Sequence, residues 1–217
     1  MRGLEDVTPR TAQEAVAERL RRDILSGRCE PGSRLAQSEI AAAMKVSITP
    51  VREALRELAT EGLVDVDRFR GAIVHTPTAE ELREVFAIRQ RLIPMATELG
   101  VRSITARELS ACELILNEME ATADDSEWSL LNRSFHRALD GASRTQHLTG
   151  ILHRLDDIAM LYIRLSLGEQ VARRSEAEAE HRALLHAYLD RDADTAIQLY
   201  LEHFKGTLRT AGDLLGE

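Results

Sequence analysis

Six of the seven histidines in this 217-residue chain fall in its second part: His136, His147, His153, His181, His186 and His203. Imidazole is the commonest protein ligand for transition metals, and a metal site needs three or four ligands that meet in space. Residues four apart share one side of a helix, so Asn132 and His136 in NRSFHRAL form a candidate ligand pair. His181 and His203 can reach that pair from two later helices. His186 is rotated well away from His181, and His147 and His153 belong to the early turns of a different helix, so these three stay outside the set. Three histidines on a metal with an open position can activate water, and Glu180 or Asp156 could serve as base, which is the chemistry of a metal-dependent hydrolase or lyase. No HExxH-type order ties a base to the ligands, however. Histidines near an apolar stripe are also ordinary hydrogen-bonded core residues, and spacing alone leaves these readings open.

A second group has the chemistry of nucleic-acid contact. SITPVREALREL carries Ser47, Thr49, Arg52 and Arg56, and DRFRG carries Arg68 and Arg70 beside Phe69. Hydroxyls and guanidinium groups at the start of one helix suit base edges and phosphates in a major groove, and arginines on a nearby turn suit a minor groove or backbone. The same arginines could instead pair with Glu53, Glu57 and Asp67 on a solvated face.

These groups need elements to hold them. TAQEAVAERLRRDILSG repeats apolar residues at Val16, Leu20 and Ile24, offers Thr11 as cap with Glu14 three later, and stops at Gly27. Pro31-Gly32 supplies a turn, and AQSEIAAAMKV reads as a short helix with Ile40 and Met44 inward. In the next helix Ser47 and Thr49 compete as cap, Pro50 is tolerated in the first turn, and Val51, Leu55 and Leu58 face a core. Gly62 ends it, and LVDV, DRFRG and AIVHT read as strand, turn and strand. Three helices and a two-stranded ribbon make a winged helix-turn-helix over residues 10–75.

From Thr78, a cap candidate with Glu81 completing the box, no strand signal returns. Apolar residues three and four apart recur through a bundle of about six helices over residues 78–215, the first with a kink expected at Pro94. The fold class is therefore mainly α. Charge divides the chain the same way. Lys and Arg number 12 against 12 Asp and Glu over residues 1–75, and 16 against 24 beyond, so the net charge of -8 belongs to the second part. A neutral segment binds DNA if its cations share a face, while the acidic remainder avoids phosphate. Two distant cysteines, Cys29 and Cys112, give little reason for a disulfide, and no apolar run is long enough to span a bilayer. A cytoplasmic protein without membrane association is expected.

The stretch ERLRRDILSGRCEPGSRLAQSEIAAAMKVSITPVREALRELATEGLVDVDRFRGAIV resembles the amino-terminal domain of the GntR family of bacterial transcription regulators, most specifically over Val46 to Leu63. The helical segment after it resembles the FadR-type, or FCD, effector domain. The resemblance implies a homodimeric, ligand-responsive regulator on a two-fold symmetric double-stranded DNA operator, with repression relieved by a small organic carboxylate. It also implies a divalent metal, zinc or nickel, held by a carboxylate four residues before an FH histidine and by two later histidines. Here those positions are Asn132, His136, His181 and His203. Asn132 stands where aspartate is usual and contributes a carbonyl oxygen without charge, which leaves the metal more weakly held and better suited to an anion. Arg89 matches a family arginine that points into the cavity and can fork a carboxylate; it could also be a surface arginine near Glu84. Arg164 is a second effector candidate. Three further positions depart from the family's usual residues. Ser38 and Ile48 replace frequent arginines, and Ile93 replaces a glutamate before the helix proline. Ile48 cannot make a bidentate guanine contact, and packs on the first helix or faces a thymine methyl.

Overall fold

The computed structural model describes residues 11–67, 71–167 and 171–214. They fall into two compact units, the first closing at His75 and the second running on from Thr76.

In the first unit α1 (Ala12–Leu25) is opened by a reciprocal cap in which Glu14 N donates to Thr11 Oγ1 at 3.1 Å and Thr11 N donates to Glu14 Oε2 at 2.9 Å. Two orphan amides of the first turn are thus satisfied. α2 (Gln37–Met44) buries Ala41, whereas Ile40 and Met44, expected inward, are only partly covered because this short helix offers its smallest side chain to the core. α3 (Ile48–Thr60) buries Val51, Ala54, Leu55 and Leu58 along one stripe. Its end is a Schellman turn: Gly62 takes φ 82° while Leu63 N reaches Leu58 O at 3.0 Å and Gly62 N reaches Ala59 O at 3.2 Å. Glycine supplies the left-handed residue at no steric cost. The ribbon of β1 (Val64–Asp67) and β2 (Gly71–Val74) pairs antiparallel with Val64 opposite Val74 and Asp67 opposite Gly71.

The second unit is a bundle of α4 (Ala79–Ser103), α5 (Ala106–Ala121), α6 (Asp125–Gly141), α7 (Gln146–Leu167), α8 (Val171–Leu189) and α9 (Ala193–Leu214). α4 packs on α9, α7 and α6, α5 packs on α6 and α8, and α8 packs on α9. Thr78 caps α4 by accepting from Glu81 N at 3.2 Å, and Glu81 in turn accepts from the Tyr162 hydroxyl. α4 runs on through Pro94 as one helix. Ile93 is fully buried there and serves the apolar core. A Cβ on Gly100 would meet Leu139 O at 3.3 Å and the Tyr188 ring at 3.4 Å, so the missing side chain lets α4 lie close to α6 and α8. Thr105 and Glu108 form a capping box on α5. Arg144, with Thr105, holds the Glu108 carboxyl at about 2. The core runs through Phe86, Trp128, Phe135, Leu139, Tyr188 and Phe204. Both cysteines are free thiols, and Cys112 is part of this core. No helix among the described residues is long and apolar enough to cross a membrane.

Candidate metal centre and DNA-reading helix

Helical phase brings the histidines together. On α6 the buried residues Trp128, Asn132, Phe135, His136, Leu139 and Asp140 recur at the spacing of a single inward stripe. His181 lies on the buried face of α8 and His203 on that of α9. Ring centroids are 5.0 Å apart for His136 and His181, 5.2 Å for His136 and His203, and 4.7 Å for His181 and His203. One ligand nitrogen from each lies within 4.8 Å of the others. Tetrahedral zinc with nitrogens at roughly 2.1 Å needs them about 3.4 Å apart, so modest rotamer shifts suffice to close the set.

The hydrogen bonds select which nitrogens face inward. Tyr200 Oη donates to Asp140 Oδ1 at 3.4 Å and therefore accepts from His136 Nδ1 at 2.9 Å, which leaves His136 Nε2 as the ligand atom. His203 Nδ1 donates to Glu180 Oε2 at 2.6 Å, which likewise frees Nε2. Arg173, itself buried, grips Glu180 through both terminal nitrogens at 3.0 and 2.9 Å. His181 is wholly buried, yet neither of its nitrogens has a partner, and Asn132 Oδ1 is a buried acceptor without one. Unpaired buried polar atoms cost roughly 1–3 kcal/mol each, and a divalent ion is the group that this donor set fits. Burial holds the pKa of His136, His181 and His203 below the ordinary histidine value, with mutual repulsion of the rings and, for His203, Glu180 pulling the other way. Neutral imidazole is the form that coordinates. Burial also raises the Glu180 carboxyl, but the bonds from His203 and Arg173 outweigh it and hold the group at about 2.

Arg89 is buried rather than on the surface near Glu84. Its Nη2 donates to Asp156 Oδ1 at 2.8 Å, with both side chains only 2% exposed, and its guanidinium lies 4.1 Å above the Phe204 ring. One arm of the expected carboxylate fork is thus held by the chain's own carboxylate, while Arg89 Nε and Asp156 Oδ2 have no partner. Arg89 lies near enough for its charge to disfavour protonation of His136 and His203. Asp156 and Glu180, the two candidate bases, are spent on Arg89 and on the Arg173–His203 pair. His147 and His186 are exposed. His153 is half-buried outside the cluster, where burial and then Arg137 push it down to about 4. Arg68 and Arg70 lie outside the described residues, as does the side chain of Arg164.

On α3 the stripe opposite the core exposes Ser47, Ile48, Thr49, Arg52 and Arg56. Ser47 is the N-cap, but its side chain makes no capping bond. Arg52 Nε stands 3.6 Å from Glu53 Oε1, and Arg56 Nη1 donates to the same oxygen at 3.1 Å, with the two arginines 49% and 66% exposed. Glu57 is drawn toward Arg21 of α1 instead. Exposed pairs of this kind are worth little and leave these arginines open to other partners.

Sequence reasoning passed over Tyr200, Asp140 and Arg173. A signal for the first two was present: Asp140 follows His136 by four residues, and Tyr200 precedes His203 by three, each on a shared helical face. Arg173 precedes Glu180 by seven residues, two turns along one face of α8, but nothing in the sequence turns that face toward His203.

Residues 12–74 match the family described as bacterial regulatory proteins, gntR family, and residues 84–206 match the FCD domain. The chain is 30% identical over 189 residues to the HTH-type transcriptional regulator YdhC of Bacillus subtilis, covering 85% of this chain and 84% of that protein. It is 28% identical over 195 residues to the HTH-type transcriptional repressor GlaR of Escherichia coli, covering 85% and 88%. The gluconate operon transcriptional repressor of Bacillus subtilis is 28% identical over 206 residues, covering 92% and 84%. Among solved structures, Escherichia coli McbR/YncC shares the fold with a TM-score of 0.86 over 94% of this chain and 99% of that one, at 23% identity. These relatives are regulators of transcription, not enzymes. With an exposed arginine-bearing helix in its first unit and a buried histidine cluster in its second, the chain belongs to the GntR family of DNA-binding transcriptional regulators, in the branch that carries an FCD domain.

Proposed function

We propose that the chain is a homodimeric repressor whose winged domain, residues 10–75, binds a two-fold symmetric operator and whose helical domain, residues 78–215, senses a small carboxylate at a metal. Ser47, Thr49, Arg52 and Arg56 contact the major groove, and Arg68 and Arg70 the adjacent backbone or minor groove. Asn132, His136, His181 and His203 hold zinc or nickel, with Arg89 and Arg164 as the carboxylate-binding cations. The observation that carries the sensor is His181, buried with both nitrogens unpartnered between two other imidazoles. A divalent ion bound there supplies positive charge and an open position for an anion. The set is neutral because Asn132 replaces a carboxylate, and the incoming carboxylate competes with Asp156 for Arg89. GlaR and the gluconate operon regulator are both repressors, which supports the polarity. Ligand binding changes operator affinity only if the two conformational states bind it differently.

Elemental analysis of protein purified without added metal tests the centre. About one zinc or nickel per chain is expected, and its loss in His181→Ala. Metal-free wild-type protein that neither retains nor takes up zinc sinks the reading. Arg52→Ala should keep its fold and lose about 10-fold or more in operator affinity.

A further inference from the structure

Ile48 is the first residue of α3, and its side chain is 52% exposed. It contributes nothing to the core, whose α3 members are Val51, Ala54, Leu55 and Leu58. More than half of this branched hydrocarbon therefore stands in water, on the face that carries Ser47, Thr49, Arg52 and Arg56. A lone exposed isoleucine is unremarkable elsewhere on a surface. At the start of a recognition helix it faces base edges, where few groups can gain from it. Guanine O6 and N7, adenine N6 and N7, and cytosine N4 lose water against an alkyl group and receive no hydrogen bond in return. The C5 methyl of thymine loses nothing by the contact and gains burial.

We propose that Ile48 is a specificity-determining residue that reads one thymine per half-site through its C5 methyl group and rejects guanine there. The inference rests on α3 being the DNA-reading helix. Arg52, one turn along the same exposed face, anchors the helix to neighbouring phosphate or base, and the free Ser47 hydroxyl lies beside the contact.

The test uses the full chain and a duplex recovered by selection from a random pool. Each thymine of a half-site is replaced in turn by deoxyuridine, which removes only the methyl group, and binding is followed by fluorescence anisotropy. One replacement should weaken wild-type binding about 4-fold, corresponding to the roughly 0.8 kcal/mol of one buried methyl-sized group. Ile48→Ala should bind the thymine and uracil duplexes alike, and Ile48→Arg should shift selection toward guanine at that step. Uracil tolerated at every position by the wild type overturns the proposal, as does an Ile48→Ala protein that still discriminates thymine from uracil. An Ile48→Ala protein that changes only its oligomeric state in sedimentation also overturns it, assigning the residue to a protein contact. Failure of the DNA-reading assignment shows differently, as Arg52→Ala binding the selected duplex like the wild type.

Discussion

Tyr200 is the residue on which the orientation of His136 depends. Its hydroxyl accepts from His136 Nδ1 and donates to Asp140, so one phenol sets both the tautomer and the ring plane. Tyr200→Phe should weaken zinc binding about 10- to 100-fold, read by competition with a chromogenic chelator, while the helical content stays the same. Unchanged affinity would show that packing alone orients the ring. Asp140 adds a pH dependence of its own. Burial, reinforced by Asp156, raises its pKa from 3.8 to about 7. A raised carboxyl gives stability that is fully present below the unfolded value and is lost as pH rises toward the folded one, between about 4 and 7. The buried histidines act with the opposite sign, since their lowered values cost stability as pH falls below the unfolded value of 6.5. Asp140→Asn keeps the histidines and removes the carboxyl. Thermal melts of metal-free protein should show its stability rising relative to the wild type from pH 5 to pH 8; a pH-independent difference would contradict the assignment.

At the scale of elements, the turn between α2 and α3 carries a backbone cost. Lys45 sits in the left-handed region at φ 56°, with its amide reaching Ala42 O, and it is exposed. For a residue with a Cβ this costs on the order of 1 kcal/mol, which glycine avoids. The lysine is explained if its charge serves a phosphate beside the recognition helix. Lys45→Gly should therefore raise the midpoint of thermal unfolding by a few degrees and flatten the dependence of operator binding on salt by about one phosphate contact. A variant that is stabilised with an unaltered salt slope would leave the lysine without that role. The elements themselves were largely legible. Thr78 with Glu81 opens α4, Gly62 closes α3, and apolar spacing gives six helices after the ribbon. What stayed hidden were side-chain choices made by partners far away in sequence. Helix phase let Arg89 face either water or the core, and only Asp156 and Phe204 on other helices decide it. The Glu180 contact that orients His203 spans 23 residues and two helices. Period alone turns Ile40 and Met44 inward, whereas the small Ala41 fills that place.

At the scale of the whole molecule, the chain passes from the first unit to the second between His75 and Thr76. His75 N is tied to Leu63 O in the first unit, and Thr78 caps α4 in the second while its carbonyl accepts from Tyr162. Only Thr76 and Pro77 lie between these anchors. Proline fixes its own φ and biases Thr76 toward extended backbone. The helix that begins just after this pair, α4, also carries Arg89. If the proposed carboxylate sensor acts through this junction, four Gly-Ser residues inserted after Thr76 should leave half-site binding intact while the carboxylate's influence on operator affinity falls severalfold; undiminished control would mean that the signal travels by another route.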